Sequence, residues 1–141
     1  LDGIDWDLHP DNPIFDASSE GNWESIGVFE PSVVRRGDTY EMWYGASPTK
    51  DVDFDTRALK AYTGRATSED GVRWTRDPAN PILGPQVAGS GTWEEDGGFM
   101  ATVLLDGDTL KMWYVGVGRQ GSWYPEETRG FQYQIGYAES E

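Results

Sequence analysis

Five short motifs occur twice along this chain, in the same order and about 70 residues apart, and a period of that length restricts the folds open to it. Asn12-Pro13-Ile14 returns as Asn80-Pro81-Ile82, and Trp23-Glu24 as Trp93-Glu94. Gly37-Asp38-Thr39 returns as Gly107-Asp108-Thr109, and Met42-Trp43-Tyr44 as Met112-Trp113-Tyr114. Gly64-Arg65-Ala66-Thr67-Ser68 is echoed by Gly136-Tyr137-Ala138-Glu139-Ser140. Such units bury their faces against one another, so the chain holds two modules and neither is to be read alone.

Each module reads as four short strands. Helical periodicity is hard to find, and glycine, proline and β-branched or aromatic residues divide the chain into short runs. Residues 31–34 are apolar, turn at Arg36-Gly37-Asp38 and return over 39–46. In the return, Tyr40, Met42 and Tyr44 fall on one face and Glu41, Trp43 and Gly45 on the other. A third strand is expected over 62–67. Glu69-Asp70-Gly71 makes a tight turn and Val72 to Thr75 a fourth strand. The second module follows with 101–105, 109–116 and 132–138, and then the chain stops. A repeated four-stranded meander predicts an all-β protein built of β-propeller blades, with a duplicated antiparallel sandwich as the alternative.

The N-terminus offers a spare strand, since Gly3-Ile4-Asp5-Trp6-Asp7 resembles Gly71-Val72-Arg73-Trp74-Thr75. The expected order is a strand completing a neighbouring blade (1–8), a full blade repeat (9–76), and a second repeat lacking its last strand (77–141). Two blades cannot close a ring of about 4 to 8. Copies therefore assemble head to tail, a trimer giving six blades being favoured, or the chain is an excerpt of a longer protein.

Composition narrows the ligands. The formal net charge is −14, which argues against nucleic acid and anionic membranes as partners and suits a cation or a neutral polar ligand such as a carbohydrate. Without cysteine there is no disulfide, thiolate metal site or cysteine nucleophile. No apolar run approaches the roughly 18 residues of a membrane span. Cellular location stays open.

Connections after the first and third strands are short, and those after the second and fourth are long, so all the long loops leave one face of the blades. They are rich in carboxylates and aromatics, the acceptors and flat faces that a sugar ring engages. Trp23, Trp93, Glu94 and Asp96 lie there, as do Trp123 and Tyr124, which have no counterpart in the other repeat and are the better stacking candidates. The recurring Trp-Glu pairs read first as packing and second as sugar contacts. Trp43 and Trp113, inside strands, read as packing between blades. Asp51, Asp53 and Asp55 alternate, but they lack the glycine and terminal glutamate of an EF-hand loop, so calcium is weakly indicated and no cofactor is expected. His9 is the one histidine, which makes a serine triad a poor reading.

At Gly27-Val28-Phe29-Glu30-Pro31-Ser32-Val33-Val34, followed by Gly37 to Tyr44, the chain resembles the five-bladed β-propeller glycosidases of glycoside hydrolase families 43 and 32 and their relatives, including mannoside phosphorylases. Gly64 to Ser68 followed by Asp70-Gly71-Val72-Arg73-Trp74 is similar as well. The likeness covers two blades' worth. It implies that Glu30, the acidic residue before the proline of an innermost strand, points into the central funnel as base or nucleophile, although aspartate is commoner there. Its counterpart in the second repeat is Met100, where such families often place a second carboxylate, and the general acid usually comes from a third blade. The expected function is a carbohydrate-active propeller acting on glycosidic bonds. The alternatives are a non-catalytic carbohydrate-binding propeller and a self-assembling fragment whose residues 3–7 meet the 132–138 edge of another copy.

Overall fold

The computed structural model describes residues 3–18, 23–48, 60–85, 92–118 and 132–140. Their regular structure is all-β: seven strands in two antiparallel sheets. The first sheet is the meander β1 (Gly27–Arg36), β2 (Thr39–Ser47), β3 (Tyr62–Ser68) and β4 (Thr75–Arg76). The second is β5 (Gly97–Asp106), β6 (Thr109–Gly118) and β7 (Gln132–Ser140). No helix among the described residues is long and apolar enough to cross a membrane.

Both β-hairpins at the short-turn end close over two residues, with Gly37 and Gly107 at φ 63. That is the first central position of a tight hairpin turn, where positive φ selects glycine. The inner strands β1 and β5 carry the same irregularity. Phe29 pairs with Gly45 and Ser32 with Trp43, so Glu30 and Pro31 together face one residue of β2. Phe99 pairs with Val115 and Thr102 with Trp113, so Met100 and Ala101 do the same on β6. Each is a β-bulge, which bends the strand and re-aims a side chain.

The sheets stack face to face. Trp43, only 3% exposed, is enclosed by Ala101, Val103, Leu110 and Tyr114 of the second sheet. A second cluster, Met42, Tyr44, Ala46 and Ala66, fills the other face of β2 under Trp23, Phe15 and Trp74. Strand β2 is therefore buried on both faces, whereas β6 is covered on one. Lys60 Nζ reaches Asp96 Oδ1 at 2.7 Å, Ala61 N donates to Asp96 O at 3.0 Å, and Thr63 Oγ1 donates to Gly98 O at 3.0 Å, fixing the start of β5 against β3. Gly97 is required there: its φ is +114, and a Cβ would sit 1.9 Å from the Ala61 carbonyl oxygen.

One expectation changes. The fourth strand begins at Thr75 rather than Val72, because Asp70 Oδ1 accepts from the Val72 and Arg73 amides (2.8 and 2.7 Å) and holds them in the turn. Residues 77–83 still cover the outer edge of the first sheet: Asp77 N donates to Arg65 O, and Leu83 and Thr63 exchange backbone bonds. The Asn80 side chain bonds both Arg65 N and Arg65 O at 2.8 Å, standing in for a strand. The N-terminal segment 3–8, expected to complete a neighbouring blade, belongs to neither sheet of the single chain.

Candidate functional site

Both bulges place a non-glycine residue in the left-handed region, Glu30 at φ 53 and Met100 at φ 55. That conformation costs about 1–3 kcal/mol and persists only where surrounding structure imposes it. The pairs on either side impose it, since a single residue of the neighbouring strand must serve two. The side chains of Glu30 and Met100 are exposed, beside the edge-to-face contact of Phe29 and Phe99 (6.4 Å between centroids) where the inner strands meet. Glu30 has no hydrogen bond or ion pair among the described residues. Desolvation nevertheless pushes its carboxyl above the usual glutamate range.

The repeated Trp-Glu pairs have one shared geometry. Glu24, 1% exposed, accepts from Tyr44 Oη at 3.0 Å and from Arg76 Nε at 2.6 Å. Glu94 accepts from Tyr114 Oη at 2.6 Å. Burial and then the facing carboxylate raise both tyrosine hydroxyls well above their ordinary range. The preceding tryptophans lie over glycines. Trp23 covers Gly64 and stacks on Tyr44 with centroids 5.9 Å apart, and Trp93 covers Gly116 and Gly136 beside Tyr114 at 6.0 Å. The sequence reading missed the tyrosine partner, although the Met-Trp-Tyr repeat 20 residues downstream of each Trp-Glu signalled it.

The candidate residues therefore separate in space. Glu30 stands at an inner bulge. Trp23, Trp93 and Glu94 close the top of each sheet, and Asp96, 2% exposed, is tied to Lys60. Trp123, Tyr124, Asp51, Asp53 and Asp55 lie outside the described residues. His9 Nδ1 accepts from the Asp11 amide at 3.2 Å. No group of three histidine or carboxylate side chains gathers as a metal cage among the described residues. Trp113, expected to pack between blades like Trp43, is 41% exposed and touches Tyr137 at 5.2 Å, with no third sheet among the described residues to cover that face.

No known family profile matches the chain, and no curated protein is similar to it in sequence. Solved structures share its fold. A glycosyl hydrolase from Bacteroides ovatus superposes with a TM-score of 0.61 at 18% identity, over 92% of this chain and 36% of its own. A structure from the GH130 family of mannoside phosphorylases, which contains glycoside hydrolases that target β-1,2 mannosidic linkages in Candida mannan, gives 0.63 at 17% identity, over 94% and 37%. A glycosidase-like protein from Bacteroides thetaiotaomicron gives 0.65 at 18% identity, over 92% and 37%. The chain thus spans about a third of the length of the structures it matches. Its fold is that of a portion of a five-bladed β-propeller glycoside hydrolase.

Proposed function

We propose that the chain is the two-blade portion of a carbohydrate-active propeller, in which Glu30 acts on the glycosidic bond as general base or nucleophile. The observation that carries this reading is the Glu30 carboxylate itself: desolvated, without a partner among the described residues, and set on an inner strand by a strained bulge. A carboxylate with no salt bridge to satisfy is available to a substrate, and a raised pKa suits proton transfer nearer neutrality. The shared fold with propeller glycoside hydrolases supports a glycan as ligand. The general acid would come from another blade, as two-carboxylate hydrolysis needs. Trp23, Trp93, Glu94 and Asp96 serve in this reading as scaffold for the loops, and Trp123 and Tyr124 as stacking faces for the sugar.

An activated aryl glycoside tests the role, because its leaving group departs without protonation and one carboxylate then suffices. Glu30→Gln should lower turnover by roughly 100-fold or more while glycan binding survives. Equal turnover by wild type and variant would exclude Glu30. A second reading, glycan binding without turnover, is favoured by Met100, which occupies the equivalent bulge with no ionisable group. Binding by calorimetry with no release of aryl alcohol in the wild type would select it.

A further inference from the structure

We infer that one copy of this chain docks head to tail on a second copy, repeating between molecules the contact that joins its own two sheets. Within the chain, Trp43 is the knob of that contact. Its hole is built by Ala101, Val103, Leu110 and Tyr114, with Ile82 and Met112 packed alongside. One repeat earlier these residues correspond to Pro31, Val33, Tyr40, Tyr44, Ile14 and Met42, and all six line an open apolar groove of about 520 Å³ on the outer face of the first sheet. The counterpart of Trp43 is Trp113, which stands 41% exposed on the opposite end of the molecule. One end of the chain therefore presents an uncovered knob and the other an unfilled hole of the matching kind.

A second, independent correspondence lies in the backbone. Residues 71–83 dock on the β3 edge of the first sheet, and residues 3–15 hold the same local shape with no strand edge paired to them among the described residues. Gly71 and Gly3 have φ +77 and +74, and Trp74 and Trp6 donate Nε1–H to the carbonyls of those glycines at 3.2 and 3.1 Å. Asn80 N and Asn12 N donate three residues back, at 3.2 and 3.1 Å. Yet Trp6 is 78% exposed and Asn12 is exposed too, with no strand paired to its segment among the described residues. The receiving edge is also present. Arg65 and Thr63, which bind Asn80 and Leu83, correspond to Tyr137 and Ile135 on β7, the outer strand of the second sheet, where Ile135 is 72% exposed. Even the hydroxyl that crosses the internal contact recurs. Ser32 Oγ accepts from Val103 N at 2.9 Å, and its counterpart Thr102 carries the same group.

The occupant is thus a second copy, with its residues 3–15 on the β7 edge of the first and its Tyr40 groove over the first copy's Trp113. The contact is heterologous, so it yields a closed ring or an open chain according to the rotation it imposes. Each copy carries a net charge of −14, so association should strengthen as salt screens the repulsion.

Sedimentation velocity on the 141-residue chain should show multiples of 15.7 kDa, and Trp113→Asp should return the mass to one copy with an unchanged far-ultraviolet spectrum. Because the chain has no cysteine, Leu8→Cys and Ala138→Cys, which would face each other as Arg76 faces Ala66, report the register directly. Oxidising the mixture should give a cross-linked dimer that neither variant gives alone. A single copy across the accessible concentration range, as would follow if a different protein module fills the groove, overturns the inference. So do multimers that survive Trp113→Asp and give no mixed cross-link.

Discussion

Whether Trp93 is a packing residue or a sugar platform is decided by Gly116. A Cβ built on Gly116 would lie 2.1 Å from Cζ3 of Trp93, with the next two nearest atoms, at 2.6 and 2.8 Å, also in that indole. Carbon atoms rest at about 3.5–4.0 Å, so the ring would have to retreat by roughly 1.5 Å. The ring is backed by Tyr114, at 6.0 Å between centroids, and by Gly136. Overpacking of this kind costs about 1–3 kcal/mol, and a rigid ring held on its other side places Gly116→Ala near the upper figure. Trp93→Ala alone should cost about 3 kcal/mol, the lower end for a large aromatic, since the side chain is half-buried. In the double variant the clash is gone, and alanine in a strand is preferred to glycine by roughly 0.5–1 kcal/mol. The pair should then cost no more than Trp93→Ala, a coupling of about 3 kcal/mol. Urea denaturation of the four proteins measures the cycle, with an unchanged m-value as the check that the unfolded state is the same. If Gly116→Ala shifts stability by less than about 0.5 kcal/mol, or the two changes simply add, the indole does not lie over Gly116 and the scaffold role fails.

Two further outcomes follow from the same geometry. Arg76→Met removes the guanidinium that faces the buried Glu24 carboxylate, and should destabilise by about 2–3 kcal/mol. That is below the full value for a buried pair, because the arginine side chain is 35% exposed, and Glu24→Gln should restore part of the loss in the Arg76→Met background. Asp70 is held down to about 2 by the amides of Arg73 and Val72. Its folded pKa is depressed, so its stabilising contribution is present above the unfolded value of about 3.9 and is lost as pH falls from there through about 2. Carboxyl carbon shifts followed by NMR should place its midpoint near 2, and a midpoint near 4 would mean the turn is not held by that side chain. Glu30 shifts the other way: its desolvated carboxyl should titrate above the ordinary glutamate range in the same experiment.

Much of the fold was legible because its constraints are local. Gly37 and Gly107 announced short turns, alternation along 39–46 announced a strand, and the motif spacing announced two modules. What escaped the sequence depends on partners elsewhere in space. The alternation of Tyr40, Met42 and Tyr44 against Glu41 and Trp43 gave the two faces of β2, but not that both are buried, the Trp43 face by the stacked second sheet and the Met42 face by Trp23, Phe15 and Trp74. Val72 and Arg73 look like a strand by residue type, and the Asp70 carboxylate overrides that preference. Trp43 and Trp113 are identical in context, yet one is enclosed and the other half open, because burial belongs to the neighbouring blade rather than to the motif. For the site, the identity of Glu30 was readable and its strained geometry was not, since neither Glu-Pro nor Met-Ala demands positive φ; the extra residue in each inner strand does.

Strain at these bulges is not in itself a mark of catalysis. Met100 shares the bulge, the exposure and almost the same φ as Glu30, so the backbone distortion is a property of the module and not of its chemistry. It serves to turn one residue per blade out of the ladder at the inner end of the sheet. Chemistry is then decided by which side chain stands at that position: a carboxylate in one module, a thioether in the other. A Met100→Glu exchange should leave the fold intact, since both residues are exposed in the same backbone geometry, and would set a second carboxylate on the neighbouring inner strand. Like charges there disfavour joint ionisation, so the Glu30 titration should move further upward in that variant. A Glu30 midpoint unmoved by Met100→Glu would mean that the two bulges do not aim their side chains at a common space, and the funnel reading of both would have to be abandoned.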